Sequence, residues 1–310
     1  MTTDIRPFGP EAMARAGGLV GEGQPVAVPT ETVYGLAADA RNAEAVARIY
    51  AAKGRPDFNP LIVHVPDLAA AETLGVFGAV ERALAARFWP GPLTLVVPRT
   101  VDCPVASIAT AGLDTIAIRV PGHRAMQALL AESGAPLAAP SANASGGVSP
   151  TKASHVLASL DGRIALVIDD GPTTAGVEST IARVQDGAVE VLRPGPVTSE
   201  MLADASGLAV AGVKGSEIVA PGMLASHYAP GKPVRLGASE FADDEFGIGF
   251  GAVAGDYDLS AAGDLTEAAA RLFDALHAGA ASAKARIAVV AIPVEGLGAA
   301  INDRLARAAV

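Results

Sequence analysis

The sequence predicts an α/β protein with a mixed sheet in a large first domain and a small α/β domain after it. Apolar runs of strand length alternate with longer alanine-rich stretches of helical period, a pattern typical of sheets covered by helices. The composition then shifts near Gly207 toward glycine, alanine and proline, which indicates a linker between two folded parts.

The strands predicted for the first domain cover residues 25–28, 61–65, 93–97, 116–120, 165–168, 179–184 and 189–192. The helices predicted there cover residues 43–52, 80–88, 124–132, 152–160 and 200–205. The last two strands are separated by Gln185-Asp186-Gly187-Ala188, a turn sequence that predicts a β-hairpin. A hairpin among strands joined by helices implies that the sheet is mixed rather than wholly parallel.

We place the domain boundaries at residues 1–206 for the first domain, 207–232 for the linker and 233–310 for the small domain. The last of these shows a βαβα pattern. Its predicted strands cover residues 233–236, 246–250 and 287–292, and its predicted helices cover residues 265–278 and 297–309. The small domain shows no convincing catalytic constellation, and Asp303 with Arg304 is expected to form a surface or interdomain pair. Its expected role is to position the linker.

Composition excludes several classes of protein. The net charge of −10 argues against strong nucleic-acid binding, which usually needs a basic face. No run of 18 apolar residues occurs, so no membrane-spanning helix is expected. Cys103 is the single cysteine and the five histidines are dispersed, so neither a disulfide nor a metal site held by these side chains is expected. With no secretory signal at the N-terminus, a cytoplasmic protein is expected.

Candidate binding residues cluster in loops next to the predicted strands. Thr30, Glu31 and Thr32 follow the first strand, where ligands commonly bind in α/β sheets, although the two threonines would also serve as helix N-caps. Lys53 and Arg55 lie in a loop bounded by glycine and proline, and two such cations suit phosphate groups. A solvated loop with Lys53 at a helix C-terminus is the alternative.

Two further features point to anionic ligands. Arg119 lies in an apolar strand, where a charge is costly unless it meets a carboxylate of the protein or of a ligand. Residues 139–150 combine small residues, hydroxyls and an amide before a predicted helix, and backbone N–H groups in such a loop can cradle an anion. A capped loop without a ligand would have the same composition.

Taken together, these loops resemble the YrdC family of threonylcarbamoyl-AMP synthases, in the long form with a C-terminal extra domain. The resemblance covers residues 25–196 motif by motif, and it continues at His227-Tyr228-Ala229-Pro230 and at Ile301-Asn302-Asp303-Arg304-Leu305. The Lys-x-Arg…Ser-x-Asn tetrad of the family is present as Lys53, Arg55, Ser141 and Asn143. One departure is Leu224-Ala225-Ser226, where some members carry a basic residue. The resemblance implies a YrdC-like twisted mixed sheet and a Rossmann-like small domain.

The family's ligand roles transfer residue by residue. The resemblance implies that the tetrad is catalytic. It implies that L-threonine is held by Thr32, His64, Arg119, the backbone of Ala139, and Ser179. It implies that ATP is held by Arg55, Asn59, Thr115, Ser141, Ser149, Arg193 and Tyr228. Tyr228, in the linker, would close over the nucleotide.

The implied reaction joins L-threonine, bicarbonate and ATP into threonylcarbamoyl-AMP and pyrophosphate, the first step of a tRNA modification. Mg²⁺ is expected to be bound through the ATP phosphates, and a downstream threonylcarbamoyl transferase is expected to receive the product. Two alternatives remain at the level of sequence. One is a carbamoyl-transfer enzyme of a related family, and the other is an RNA-binding module.

Overall fold

The structure of the protein is a computed structural model that describes residues 2–54, 59–212 and 227–309. Arg55 and residues 213–226 of the predicted linker lie outside the described residues, so the departure at residues 224–226 does as well. The described residues form an eleven-stranded sheet and a four-stranded sheet, both accompanied by helices. The α/β class and the division of the strands between two sheets therefore match the expectation.

The strands of the large sheet are β1 (Asp4–Pro7), β2 (Val26–Pro29), β3 (Tyr34–Asp39), β4 (Ile62–His64), β5 (Leu93–Pro98), β6 (Thr115–Arg119), β7 (Leu137–Ala138), β8 (Leu166–Asp169), β9 (Thr180–Gln185), β10 (Ala188–Arg193) and β11 (Val210–Gly212). The helices of this part are α1 (Pro10–Gly21), α2 (Ala43–Lys53), α3 (Leu68–Leu74), α4 (Ala79–Phe88), α5 (Arg124–Ser133), α6 (Ala153–Leu160) and α7 (Ser199–Ser206). A short 3-10 helix covers Ser107–Thr110.

The large sheet is mixed. Its strand order is β1-β8-β2-β3-β7-β4-β6-β5-β9-β10-β11. Strand β4 runs parallel to β6, whereas β5 runs antiparallel to β6 and parallel to β9. The predicted hairpin is confirmed as the antiparallel pair β9 and β10. Asp186 and Gly187 form its turn with φ values of 53° and 75°, the left-handed conformation that two-residue hairpin loops require.

The second sheet consists of β12 (Val234–Ala238), β13 (Glu245–Gly249), β14 (Tyr257–Asp258) and β15 (Arg286–Val290), in the order β12-β15-β13-β14. All three pairings are parallel. Helices α8 (Leu265–Ala281) and α9 (Leu297–Ala308) accompany this sheet. We call residues 234–309 the C-terminal domain. Within the described ranges of the chain, no helix is both long and apolar enough to cross a membrane.

Two predictions along the chain are wrong. The binding loop predicted after the first strand covers residues 29–36, but residues 34–39 form the buried strand β3, so Thr30 and Thr32 lie in a turn and do not cap a helix. The linker was expected to begin at Gly207, yet β11 continues the large sheet beside β10. Glycine and alanine make up half or more of each strand, and backbone pairing rather than an alternating apolar pattern holds them.

The C-terminal domain packs against the backs of three loops of the large sheet. Val33, Val148 and Val177 belong to the same buried apolar cluster as Phe273 and Leu276 of α8. A polar cluster adds to this contact. In that cluster His277 stacks on His155 with ring centroids 3.8 Å apart, and Lys152 forms an ion pair with Asp274 at 2.7 Å. The second domain therefore does more than position the linker, because it supports loops of the first domain directly.

Gly176 sits at the closest approach between the two parts. Its φ is 70°, and a Cβ there would overlap the backbone of Ala269 and Ala270 in α8. Gly171 has a φ of 80° but nothing within 4 Å of the position that a Cβ would take. Comparing alanine substitutions at the two positions therefore separates the cost of a left-handed backbone from the cost of displacing α8.

We expect Gly176→Ala to lower the free energy of unfolding more than Gly171→Ala. Both variants carry the cost of a non-glycine residue in the left-handed region, about 1–2 kcal/mol. Only Gly176→Ala adds an overlap with helix backbone, which should cost about 1–3 kcal/mol more. Urea denaturation and limited proteolysis measure the difference. Equal unfolding free energies would contradict the described contact between residue 176 and α8.

Candidate active site

A polar pocket opens where the ends of β2, β4 and β6 meet the loops after β7 and before β9. All five residues assigned to threonine by resemblance line it. They are Thr32, His64, Arg119, Ala139 and Ser179. Three residues assigned to ATP line it as well, namely Ser141, Arg193 and Tyr228. The fold thus brings residues that are far apart in the sequence to one pocket, and their ligand roles stay predictions.

The turn after β2 is stabilised by the hydroxyl group of Thr30. Thr30 Oγ1 accepts hydrogen bonds from the N–H groups of Thr32 and Val33, both at 3.2 Å, and donates to the Val33 carbonyl at 2.7 Å. The Oγ1 atoms of Thr30 and Thr32 lie 2.8 Å apart. This bonding lets the chain reverse directly into β3 and fixes Thr32 at the pocket wall.

Arg119, at the end of β6, meets a carboxylate of the protein. One of its terminal nitrogens lies 2.7 Å from Glu31 Oε1, and the other donates to Thr32 Oγ1 at 3.0 Å. Burial of Glu31 opposes its ionisation, but the neighbouring guanidinium outweighs burial and holds the pKa of the carboxyl below its usual value. The ionised Glu31 carboxylate therefore compensates the buried guanidinium of Arg119 at the pocket wall.

His64, at the end of β4, is buried beside Arg119. Burial is the main reason, and the positive charge of Arg119 the next, why the pKa of His64 falls to about 3. The imidazole is consequently neutral near pH 7. Its Nδ1 atom has no hydrogen-bond partner among the described residues, and the side chain lines the pocket. A buried polar atom left open toward a pocket is the feature expected of a ligand contact.

Ser179 is held from two sides. Arg193 donates to its carbonyl oxygen at 2.9 and 3.1 Å and to its hydroxyl at 3.2 Å. The hydroxyls of Thr94 and Ser179 lie 2.7 Å apart. Burial is the largest influence on Arg193 and lowers its pKa to about 10, so the side chain keeps its charge near neutral pH.

The tetrad is brought together as far as it is described. Lys53 Nζ donates to the carbonyl oxygens of Ser141 and Asn143, both at 2.5 Å. Lys53 ends α2, as the alternative held, but its side chain is buried rather than solvated. Asn143 donates in turn to the Gly147 carbonyl at 2.8 Å. Lys53 therefore organises the loop after β7, and its catalytic role stays a prediction, like that of Arg55.

Three residues assigned to ATP do not line this pocket. Thr115 begins β6, about 13 Å along the strand from Arg119 at roughly 3.3 Å per residue. Asn59 is buried next to residues 55–58, which lie outside the described part of the chain. Ser149 reaches the pocket indirectly, because its hydroxyl donates to Glu178 Oε1 at 2.5 Å and Glu178 lines the pocket. These assignments remain predictions.

The sequence did not show which groups Glu31, Glu178 and Arg304 pair with. Glu178 lines the pocket, Glu31 lies between the pocket residues Thr30 and Thr32 in the chain, and each carboxylate forms an ion pair with an arginine. Arg304 was expected at the surface or between domains. It is fully buried between them, so the interdomain alternative is confirmed and the surface alternative is wrong. An available signal was the carboxylate in Gly176-Val177-Glu178-Ser179-Thr180, because a charge beside a buried strand needs a partner.

Comparison with known proteins agrees with this geometry. A family model described as "Telomere recombination", for Sua5, YciO and YrdC proteins, matches residues 19–195. The chain belongs to the Sua5/YciO/YrdC family. A second family model, described as "Threonylcarbamoyl-AMP synthase, C-terminal domain", matches residues 197–310, so the chain is a long-form member.

Relatives of this Sua5-type chain are similar along most of its length. A protein of Bacillus subtilis named threonylcarbamoyl-AMP synthase is 42% identical, covering 96% of this chain and 92% of its own. A protein of the same name from Pyrococcus abyssi is 45% identical over 71% of this chain and 66% of its own. The crystal structure of P. abyssi Sua5 complexed with L-threonine superposes with a TM-score of 0.88 at 36% identity, covering 99% of this chain and 97% of that one.

We expect His64 to remain neutral through the physiological pH range. Its pKa is 6.5 in an unfolded chain and about 3 when folded, so its contribution to stability is complete above pH 6.5. That contribution is lost as the pH falls from 6.5 toward 3, by about 1.4 kcal/mol per pH unit. Imidazole NMR should show no titration of His64 between pH 5 and 8. His64→Gln should weaken the acid dependence of unfolding, and a His64 midpoint near pH 6.5 would contradict the described burial.

Proposed function

We propose that this chain is a threonylcarbamoyl-AMP synthase that uses L-threonine, bicarbonate and ATP. The observation that carries the proposal is the convergence on one pocket of the five residues assigned to threonine, in a fold that matches a Sua5 structure complexed with L-threonine. The names of the curated relatives support the same reaction.

The reaction needs positioning and charge neutralisation more than a protein nucleophile. The amine of threonine combines with bicarbonate to give an N-carboxylate and water. An oxygen of this carboxylate then attacks the α-phosphorus of ATP, the bond to the β-phosphate oxygen breaks, and pyrophosphate leaves. Both partners are anions, so fixed positive charges and hydrogen-bond donors around them lower the barrier most.

The pocket supplies these groups in two halves. On the threonine half, Arg119 would hold the amino-acid carboxylate, while His64, as a neutral imidazole, would contact a polar group of the substrate. On the nucleotide half, Arg193 and Ser141 would face the phosphates, and Tyr228 would cover the nucleotide. The Glu31 carboxylate, whose pKa is lowered, would hold Arg119 in place until the substrate carboxylate arrives.

Mg²⁺ is proposed to enter as part of the substrate, bound to the ATP phosphates. Within residues 2–54, 59–212 and 227–309, no group of three or more His, Cys, Asp and Glu side chains could hold a metal ion. Two carboxylates paired with arginines lie here, Glu178 in the pocket wall and Glu31 behind Arg119. Phosphate oxygens are ligands that Mg²⁺ favours, and they are present only once ATP is bound.

The product is a mixed anhydride that water can hydrolyse, so we propose direct hand-off to a threonylcarbamoyl transferase that modifies tRNA. The chain itself has a net charge of −10, which argues against strong binding of the tRNA by this protein. A cytoplasmic location is proposed because ATP and the tRNA that receives the group are found there.

Pyrophosphate release tests the proposal. The purified protein with MgATP should release pyrophosphate only when L-threonine and bicarbonate are both present. Product analysis should then show threonylcarbamoyl-AMP rather than ADP. Pyrophosphate release that is equal without threonine, or a product that lacks the threonyl group, would overturn the proposed function. Tight tRNA binding that weakens steeply with salt, without pyrophosphate release, would favour the RNA-binding alternative.

We expect Arg119→Lys to raise the KM for L-threonine with a smaller change in the KM for ATP. A guanidinium can bind Glu31, Thr32 and a substrate carboxylate at once, whereas an ammonium is a point charge. Losing one charged hydrogen bond is worth about 1.5–3 kcal/mol, or a rise of roughly 10- to 100-fold. Arg183→Lys is the control, because Arg183 pairs with Glu190 outside the pocket. An unchanged threonine KM would restrict Arg119 to pairing with Glu31.

A further inference from the structure

Arg304 is the largest fully buried side chain in the described part of the chain, although it carries a charge. It lies on α9 of the C-terminal domain, but most of its hydrogen bonds reach the other domain. Its Nε donates to Glu178 Oε2 at 2.9 Å, and one terminal nitrogen donates to the Pro194 carbonyl at 2.9 Å. The same nitrogen donates to Asp303 at 2.8 Å. A buried guanidinium is retained only with partners of this kind.

These partners adjoin the nucleotide half of the pocket. Glu178 precedes Ser179, and Pro194 follows Arg193. The other carboxylate oxygen of Glu178, Oε1, accepts a hydrogen bond from the hydroxyl group of Ser149, a residue that was assigned to ATP. One guanidinium therefore fixes both the carboxylate that orients the Ser149 hydroxyl and the backbone beside Arg193.

Arg304 also lies beneath Tyr228. The centre of its guanidinium is 5.6 Å from the centroid of the tyrosine ring, and Phe273 stacks on the same ring at 5.3 Å. Tyr228 has a φ of 66°, which costs a non-glycine residue about 1–2 kcal/mol, so its surroundings must hold it there. The chain beyond it is anchored by the N–H of Ala229, which donates to the Gly146 carbonyl at 2.8 Å.

The state of Glu178 fits this arrangement. Burial alone would favour its neutral form, but Arg304 and Arg193, with the Ser149 hydroxyl, outweigh burial and lower the pKa of the carboxyl to about 2. The ionised carboxylate can only accept hydrogen bonds, so the Ser149 hydroxyl is the donor in the bond between them. This bond fixes the position of the serine oxygen and leaves its lone pairs available to accept hydrogen bonds from a ligand.

We propose that Arg304 is a positioning residue for ATP: through Glu178 it sets Ser149, and through Pro194 and Tyr228 it steadies the rest of the nucleotide half. The inference rests on the proposed function and deepens it, since it makes the C-terminal domain part of the nucleotide site. An interdomain pair that served stability alone would not distinguish one substrate from the other. Arg304, as a positioning residue, affects ATP far more than threonine.

The first test compares Arg304→Met with Arg307→Met. Methionine keeps much of the length and apolar surface of the arginine but cannot bind Glu178. Arg304→Met should raise the KM for ATP about 10-fold or more and the KM for L-threonine less than about 3-fold. Arg307 lies one turn along α9 and pairs with Asp303, so Arg307→Met should leave both KM values near wild type. Equal rises in the two KM values, or an unchanged ATP KM in a folded Arg304→Met protein, would overturn the proposal.

A second pair of variants covers the case in which Arg304→Met fails to fold because it leaves Glu178 charged and unpaired. Glu178→Gln keeps an oxygen that can accept a hydrogen bond from Ser149 but removes the charge, so Glu178→Gln and the double variant with Arg304→Met should both fold. If Arg304 acts on ATP mainly through Glu178, both should raise the ATP KM, and the two ATP KM values should agree within about 3-fold. An ATP KM of the double variant that is about 10-fold or more above that of Glu178→Gln would show an independent action of Arg304 and overturn the proposal, as would an ATP KM of wild-type size in the folded double variant.

Equilibrium binding separates this inference from the proposed function. The affinity for an α,β-methylene analogue of ATP is measured by calorimetry in the wild type, Arg304→Met and Arg307→Met. Weaker binding in Arg304→Met alone supports the positioning role even if no pyrophosphate is released. If the wild type releases pyrophosphate but all three proteins bind the analogue equally well, the synthase function is supported and the positioning role of Arg304 is contradicted.

Discussion

Burial of charge is the constraint on which the candidate active site depends. Arg119, Arg193 and Arg304 are all buried, and a buried guanidinium without partners would cost several kcal/mol. Each arginine is therefore tied to groups that also shape the pocket: Arg119 to Glu31 and Thr32, Arg193 to Ser179, and Arg304 to Glu178. The groups that compensate these buried charges are therefore also the groups that position the candidate ligand contacts.

The same constraint explains why two domains meet at this place. The apolar contact through Val33, Val148 and Val177 excludes water from behind the pocket loops, which strengthens each electrostatic interaction there. Glu178 would lose its ion-pair partner without Arg304 from α9. The C-terminal domain thus completes an electrostatic network that the large sheet begins, and the chain that leads into it at Tyr228 is held by both domains.

The sequence predicted those elements that side-chain pattern alone can specify. The helix predicted at 43–52 is the clearest case, because Asn42 caps its start and Gly54, with a φ of 59°, ends it after Lys53. By contrast β3, with Gly35, Ala37 and Ala38, has neither the alternation nor the β-branched residues that mark a strand. Its place in the sheet is decided by antiparallel pairing with β2 and β7, which no local pattern reveals. The same holds for β11.

The residues of the candidate active site also fall into those that the sequence indicates and those that only the fold reveals. Resemblance indicated Thr32, His64, Arg119, Ala139 and Ser179, and the fold gathers them at one pocket. The ion pairs of Glu31 and Glu178 could not be predicted, because their partners are 88 and 126 positions away in the sequence (119 − 31 and 304 − 178). A sequence shows that Arg119 needs a partner but does not say which carboxylate supplies it.

Preorganisation is what these pairings contribute to the proposed chemistry. Joining two anions requires donors that already point at the reacting groups, since reorienting them during the reaction would cost much of the benefit. The Thr30 turn fixes Thr32, Arg193 fixes Ser179, and the Glu178 carboxylate fixes the proton of Ser149. Each of these bonds exists among protein groups alone, so the pocket is ordered before substrates enter.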